Sequence, residues 1–199
     1  MEFKDIVRQR YAVRQFEDRK VPEDLIQELL QLIVLAPSAL NLQPWRIKVV
    51  ADQKTKDELY AGTWEQPQVK TCSHLLVLCA DVDLPAAIAK LDKTLRAAGA
   101  PEQMRAHVIG LANDTNDRLN PDQLLCWAQH QVFIALGNAL NGAVSLGLGA
   151  GPMTAFNPPD FSRVLKLPAH LVPSVLVAVG YPAGDPLPKM RYPVSDSLI

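Results

Sequence analysis

The sequence has little of what marks secreted, membrane-spanning or metal-binding proteins. It contains three cysteines and four histidines in 199 residues, and none of them falls at a CxxC, HExxH or other ligand spacing, so we expect neither disulfides nor a metal site. Cys72, Cys79 and Cys126 all adjoin apolar runs, and we interpret them as small buried side chains. No apolar run reaches about 18 residues, which argues against a transmembrane helix. The stretch MEFKDIVRQR lacks the apolar centre of a signal peptide, so we expect a cytoplasmic location.

An excess of charge of one sign is also missing. Twenty basic residues stand against 21 acidic ones, for a net charge of −1, so nothing in the bulk composition predicts binding to nucleic acid or to a membrane surface. A hydrophobic content of 48% and a charged content of 21% are those of a globular protein. The length fits one domain over 1–199, with residues 182–199 as an extended, proline-rich tail.

Nucleotide and nucleophile motifs are absent as well. The chain has no GxxxxGK and no GxSxG. GLGAG at 147–151 resembles a dinucleotide loop, but it follows a predicted helix and enters a predicted strand, whereas phosphate-binding glycines leave a strand and open a helix. We interpret these glycines as the end of a helix and a tight turn.

Hydrophobic periodicity predicts an α+β protein with a central mixed or antiparallel sheet of about four or five strands flanked by helices. Strands are predicted at 46–51, 74–81, 149–156 and 173–182. Helices are predicted at 22–36, 54–62, 85–100, 102–113, 121–146 and 158–167. The apolar run HLLVLCAD predicts a strand buried on both faces, and the polar stretch 113–122 is predicted to be a loop. Asn120 and Pro121 suit the start of the long helix, which is apolar nearly all round and is a candidate for packing against a second subunit.

Three polar or cationic stretches stand out: RYAVR at 10–14, PSALNLQPW at 37–45 and KMR at 189–191. One helical turn would place Arg10 and Arg14 on the same side, and an extended tail would do so for Lys189 and Arg191. Each stretch by itself also fits ordinary solvated surface or a plain loop. Together they suggest a local site for an anion.

The order and spacing of these stretches resemble the nitroreductase family of flavoproteins. RYAVRQF matches its R-x-x-[VTI]-[RK]-x-[FY] opening, and APSALNLQPW matches its A-P-S-x-x-N-x-Q-P-W segment, the most specific of the motifs. LGNALNGAVSLGLGAGPMTAF is similar to its central helix and following strand, and PKMRYP to its K-x-R-x-P. The matches extend from residue 10 to residue 193.

The resemblance implies FMN bound between the subunits of an entwined homodimer. Arg10, Lys189 and Arg191 would hold the phosphate, since a phosphate dianion favours several charge-assisted hydrogen bonds. Tyr11 and Ala12 would add backbone contacts, although the family often has serine at position 12. Arg14 would lie over the pyrimidine side or the ribityl chain and stabilise the reduced flavin.

The resemblance also implies contacts to the flavin ring from two further loops. The partner subunit would cover the ring and ribityl chain with Pro37, Ser38, Ala39, Leu40 and Asn41. The other ring face would meet Pro152, Met153, Thr154 and Ala155. Backbone N–H groups of Thr154 or Ala155, where the family often has Glu and Gly, would point at flavin N5 and O4.

One position departs from the family. Many members have Asn and Lys about nine and six residues before the histidine that opens the buried strand, where this chain has Glu65 and Gln68. Gln68 would donate an amide N–H to the pyrimidine edge but bring no charge, so we expect a lower flavin potential than in lysine-bearing relatives. Glu65 is expected to point outward.

The function implied is reduction of nitroaromatics, quinones or similar small-molecule acceptors by NAD(P)H through FMN, in a ping-pong mechanism. No catalytic residue beyond the flavin itself is evident. Two alternatives stay open: the same flavin fold with other redox chemistry, such as dehalogenation or oxidation, and a flavin-binding protein without catalysis.

Overall fold

The fold is built on a four-stranded sheet in the order β1-β2-β4-β3, with every neighbouring pair antiparallel. The structure, a computed structural model, describes residues 1–186 and 188–199. The strands are β1 (Trp45–Val50), β2 (His74–Asp81), β3 (Gly149–Met153) and β4 (Leu171–Gly180). The predicted α+β class and the number of strands are confirmed, and all four strands lie where the hydrophobic pattern predicted them.

Eight α-helices flank the sheet in the described parts of the chain. They are α1 (Phe3–Gln9), α2 (Glu23–Val34), α3 (Gln53–Tyr60), α4 (Pro67–Thr71), α5 (Leu84–Ala97), α6 (Glu102–Arg118), α7 (Pro121–Ser145) and α8 (Pro158–Val164). The long helix α7 begins as predicted, because Asn120 accepts the N–H of Gln123 while the Gln123 side chain accepts the N–H of Asn120.

Strand β2 is buried along its whole length because helices cover both faces of the sheet. Successive side chains of a strand point to opposite faces. Leu76 and Leu78 therefore pack in a cluster with α2 and α7, whereas Leu75 and Val77 pack in a second cluster with α3 and α8. The prediction from HLLVLCAD is confirmed, and the sheet is the middle of three layers.

Helices α5 and α6 form a hairpin beside these layers. Arg105 on α6 reaches Asp92 on α5 at 2.8 Å, and Arg96 shares the same carboxylate at 2.9 Å. The prediction of a loop at 113–122 is wrong, since α6 continues to Arg118 and α7 starts at Pro121. The stretch between Leu111 and Pro121 is polar but holds no Gly or Pro, and polarity alone costs a helix little.

Two expectations about local environment are also corrected. Cys126 is exposed on α7, whereas Cys72 and Cys79 are buried; its neighbours are apolar, but its own position lies on the open side of the helix. Residues 10–14 are not helical, because α1 ends at Gln9 and the chain continues in an extended form. Extended backbone also places residues four apart on one side, so Arg10 and Arg14 share a side for a different reason.

Candidate functional site

The segment after α1 runs along the edge of β3 and is held there by main-chain contacts. The N–H of Val13 donates to Ala150 O at 3.1 Å, and Ala12 forms a parallel bridge with Ala150. Gly151 makes this approach possible, because a Cβ at that position would lie 2.2 Å from Val13 O. Gly151 of GLGAG thus lets another segment of the same chain lie close to β3. No helix begins at these glycines, as the sequence predicted.

An open cavity of about 530 Å³ lies where this segment meets the C-terminal tail. Its lining comes from both ends of the chain: residues 10–15, Ala183, Asp185, Pro188, Lys189, Met190 and Arg191. The four predicted cations Arg10, Arg14, Lys189 and Arg191 are all among them, together with Tyr11 and Ala12. The structure therefore brings the first and third sequence motifs into one site with a single acidic side chain, Asp185.

The cations in this cavity are close enough to repel one another. The pKa of Lys189 is lowered, first by partial removal of its ammonium group from water and then by repulsion from Arg10 and Arg191. Its Nζ donates to the carbonyl of Val7, and Arg191 donates to the carbonyl of Met190. Within the described residues, no carboxylate lies within 4 Å of these side chains. An anion in the cavity would relieve the repulsion.

The loop after α2 lies apart from this cavity within one chain. Pro37, Ser38, Ala39, Leu40 and Asn41 do not line it; Asn41 borders a second cavity of about 340 Å³ with Gln43, Trp45 and Ala87. Two hydrogen bonds fix the loop: Gln131 of α7 accepts the N–H of Ala39 at 2.9 Å, and Ser38 Oγ accepts the N–H of Gln43 at 2.9 Å.

The backbone of this loop is strained. Leu40, Asn41 and Gln43 all have a positive φ, between 47° and 55°, a conformation that costs a non-glycine residue on the order of 1–3 kcal/mol. Such strain persists only where the surroundings hold it and is concentrated at ligand sites and switch regions. The segment contains no glycine, and of these three residues only Asn41 is of a type that favours a positive φ.

The loop after β3 presents backbone donors. Met153 is buried in the core, so only its main chain is available, whereas Thr154 and Ala155 are exposed and Pro152 is half-buried. In the described part of the chain neither Thr154 N–H nor Ala155 N–H donates to a protein acceptor. Two neighbouring donors are thus free to bind an acceptor atom of a ligand.

Gln68 lies beside this loop but below the surface. Its side chain is only 2% exposed, and its Nε2 donates to Oε1 of Gln66 at 2.9 Å. The Nε2 of Gln66 in turn donates to Ala155 O at 2.7 Å. Glu65 is exposed, as expected. The sequence pointed to Gln68 and missed Gln66, which carries the connection to the loop.

Comparison with known proteins decides the family. The Nitroreductase family model matches residues 7–181. The chain belongs to the nitroreductase family. A protein named NADH dehydrogenase from Thermus thermophilus is 36% identical over 93% of this chain and 89% of its own length. A protein from Staphylococcus haemolyticus, provisionally named NAD(P)H nitroreductase, is 31% identical over 94% of this chain and 91% of its own length.

Solved structures agree on the nitroreductase fold. A protein from Exiguobacterium sibiricum, crystallised in complex with FMN, superposes with a TM-score of 0.90 over 100% of this chain and 97% of its own. Its sequence identity is 21%, so the likeness is evidence of fold alone. No described helix of this family member is both long enough and apolar enough to cross a bilayer.

Proposed function

We propose that this protein is an FMN-dependent oxidoreductase that uses NAD(P)H to reduce nitroaromatics, quinones or similar small acceptors. Membership of the nitroreductase family supports the proposal, and so do the names of the relatives and the FMN complex of a structural neighbour. The observation that carries it is the cavity in which cations from both ends of the chain meet.

The donor set of the cavity fits the phosphate of FMN. Arg10 and Arg191 offer planar guanidinium groups for paired hydrogen bonds, and Lys189 adds a third charge. The pKa of Lys189 is lowered first by partial removal from water and then by repulsion from Arg10 and Arg191, and a phosphate dianion would supply the missing counter-ion. Tyr11 and Ala12 lie in the same lining and bring main-chain groups to it.

The free N–H groups of Thr154 and Ala155 fit the polar edge of the flavin ring. Flavin N5 and O4 are acceptors, and both donors come from backbone, so they do not depend on the side chains at these positions. Pro152 and Met153 would contribute their main chain to the same ring face. Arg14 would lie near the pyrimidine side and favour the reduced, negatively charged ring. Gln68 is buried and its amide donates to Gln66, so its contact with the pyrimidine edge stays a prediction.

A homodimer is part of the proposal. The segment 37–41 lies away from the cationic cavity of its own chain, so a partner's copy would have to cover the flavin. Helix α7 exposes Phe133 and Ile134 by 45% and 42%, and α1 exposes Phe3; such apolar side chains favour a second chain as their neighbour. We expect a dimer on sizing, and a monomer that binds FMN tightly would contradict the shared site.

When bound, FMN supplies two-electron chemistry, accepting a hydride from NAD(P)H and passing electrons to the acceptor. The chain's own residues bind and orient it and shift its potential; we assign no catalytic side chain. If both substrates use one open ring face, each must leave before the other enters. Initial rates with both substrates varied should then give the parallel double-reciprocal lines of a ping-pong mechanism, and intersecting lines would exclude it.

The deciding experiment is reconstitution. Purified protein should take up FMN, turn yellow and be bleached by NADH or NADPH under anaerobic conditions, and menadione or nitrofurazone should restore the colour. Protein that binds no FMN would overturn the proposal. Flavin that NAD(P)H bleaches but neither acceptor reoxidises would favour other redox chemistry on the same fold. Bound flavin that neither nicotinamide reduces would favour a flavin-binding protein without catalysis. The cytoplasmic location stays a prediction.

A further inference from the structure

Gln66 joins two loops that are distant in sequence. It stands between α3 and α4, and its side chain reaches the main chain just after β3: Nε2 donates to Ala155 O at 2.7 Å. Its other amide atom, Oε1, accepts from Gln68 Nε2 at 2.9 Å. Because Gln68 is 2% exposed, packing fixes that donor, and the donor in turn fixes which way the Gln66 amide faces.

Two more contacts hold the same loop from its inner side. The N–H of Asn157 donates to Gly62 O at 2.7 Å. Phe156 is buried and packs edge-on against Phe161 with ring centroids 5.0 Å apart. The loop is therefore anchored at Ala155, Phe156 and Asn157, and the free N–H groups of Thr154 and Ala155 lie just before these anchors.

We propose that Gln66 is a positioning residue for the flavin ring. By holding the carbonyl of Ala155, it would fix the peptide that joins Ala155 to Phe156. That restricts rotation of the backbone at Ala155 and so the direction of the Ala155 N–H in the preceding peptide. This inference rests on the proposed function, in which these N–H groups bind flavin N5 and O4. A preorganised donor at O4 favours the reduced ring, whose carbonyl oxygens carry more negative charge, only if it already points there, and small misplacements cost rate and driving force.

Three variants separate this role from simple packing. Gln66→Met removes both hydrogen bonds. Gln66→Glu keeps an acceptor for Gln68 but, ionised at neutral pH, has no proton to donate to Ala155. Gln27→Met is the matched control, because Gln27 is exposed on α2 and its amide donates only to Glu23, at 2.8 Å. The readouts are hydrogen exchange of the Asn157 amide, which donates to Gly62 O, the FMN dissociation constant and the flavin midpoint potential.

We expect both Gln66 variants to exchange the Asn157 amide about tenfold faster. Gln66→Met, which changes no charge, should shift the equilibrium between reduced and oxidised flavin about tenfold toward oxidised, which is about 30 mV for two electrons. Gln66→Glu also adds a negative charge, so only its exchange rate is compared. The dissociation constant of FMN should change less than about threefold, since the phosphate contacts remain. Gln27→Met should match the wild type in all three measurements.

Two results would overturn the inference while leaving the proposed function intact. One is wild-type exchange of the Asn157 amide in both Gln66 variants together with a wild-type potential in Gln66→Met. The other is faster exchange in Gln66→Met that Gln66→Glu does not share, which would assign the role to the contact with Gln68 rather than to the donor for Ala155. Wild-type protein that binds no FMN would instead remove the proposed function, and this inference with it.

Discussion

Among the residues that the structure describes, two regions hold cations without a carboxylate within 4 Å, and they differ in how far the charge is removed from water. Lys56 on α3 is 1% exposed and donates to Cys72 O at 2.6 Å, the carbonyl that ends α4. Arg10, Lys189 and Arg191 surround an open cavity, and the last two donate only to nearby carbonyls of the chain. The cation of the first region is buried against a carbonyl of the chain, whereas those of the second line a cavity that a ligand can enter.

The difference shows what each cation contributes. A buried ammonium group is tolerable where its donors meet helix-end carbonyls, which carry partial negative charge. Burial lowers the pKa of Lys56, and the side chain holds α3 against α4. The cations around the open cavity repel one another and do not stabilise the fold in a comparable way. Cations that cost stability are expected where binding requires them, and the following experiments test that contrast in order of expected effect.

Truncating the buried cation should give the largest change. Lys56→Ala leaves a cavity and an unpaired carbonyl at Cys72, and should lower the free energy of unfolding by about 2–4 kcal/mol. Urea denaturation of the flavin-free protein measures it. Lys54→Ala, on the exposed side of the same helix, is the control and should cost less than about 0.5 kcal/mol. Equal losses in the two variants would show that the buried ammonium group adds nothing to stability.

Truncating an open cation should affect binding instead. Arg10→Ala removes charge-assisted hydrogen bonds worth about 1.5–3 kcal/mol and should raise the FMN dissociation constant roughly 10- to 100-fold. The flavin-free variant should unfold as the wild type does. Arg8→Ala is the control, because Arg8 lies outside the cavity lining and pairs with Asp5 at 3.8 Å. An FMN affinity unchanged by Arg10→Ala would show that Arg10 does not bind the phosphate of FMN in this cavity.

Adding a cation near the ring should change the potential. Gln68→Lys restores the charge that many relatives carry, and should raise the flavin midpoint potential by about 30 mV, or about 1.4 kcal/mol. Equilibration with a reference dye under anaerobic reduction measures it. Gln27→Lys adds the same charge on exposed α2 and should leave the potential unchanged. A potential that falls in Gln68→Lys would contradict the idea that missing charge at this position lowers it.

The smallest expected effect is on pH dependence. The pKa of Lys189 is lower in the folded protein than in the unfolded chain, so the unfolded chain binds more protons just below the ordinary lysine range. The unfolding free energy of the flavin-free protein should therefore rise with pH there. Lys189→Met should lack this contribution, and the difference between wild type and variant between pH 8 and pH 10 isolates it. A wild type that gains no stability relative to the variant would contradict the lowered pKa of Lys189 in the folded protein.

Much of the fold followed from local pattern. HLLVLCAD predicted β2, and Asn120–Pro121 predicted the start of α7, because alternation, burial and capping act over a few residues. The prediction of a loop at 113–122 is wrong because polarity was taken for the end of a helix, although no Gly or Pro lies between Leu111 and Pro121. The extended form of RYAVR could not be predicted, because it depends on pairing with β3, which its own residues do not specify.

The residues of the candidate site also fall into those that the sequence predicted and those that only the packing selects. The motifs identified Arg10 and Arg191 as cations suited to a phosphate, since charge and donor geometry belong to the residue type. Gln66 escaped notice because a glutamine has many partners available to it, and only the packing of Gln68 and the course of the chain after β3 select Ala155.

The sequence by itself determined the chemistry available to this protein: apolar strands for a covered sheet, capped helices, and cations at both ends of a nearly neutral chain. The tertiary structure decided which of these residues lie close together. The extended path of residues 10–16 beside Gly151, the convergence of Arg10 with Arg191, and the strained turn at Leu40 depend on contacts between distant segments. Those contacts form only when the whole sheet assembles, so no short stretch of residues could encode them.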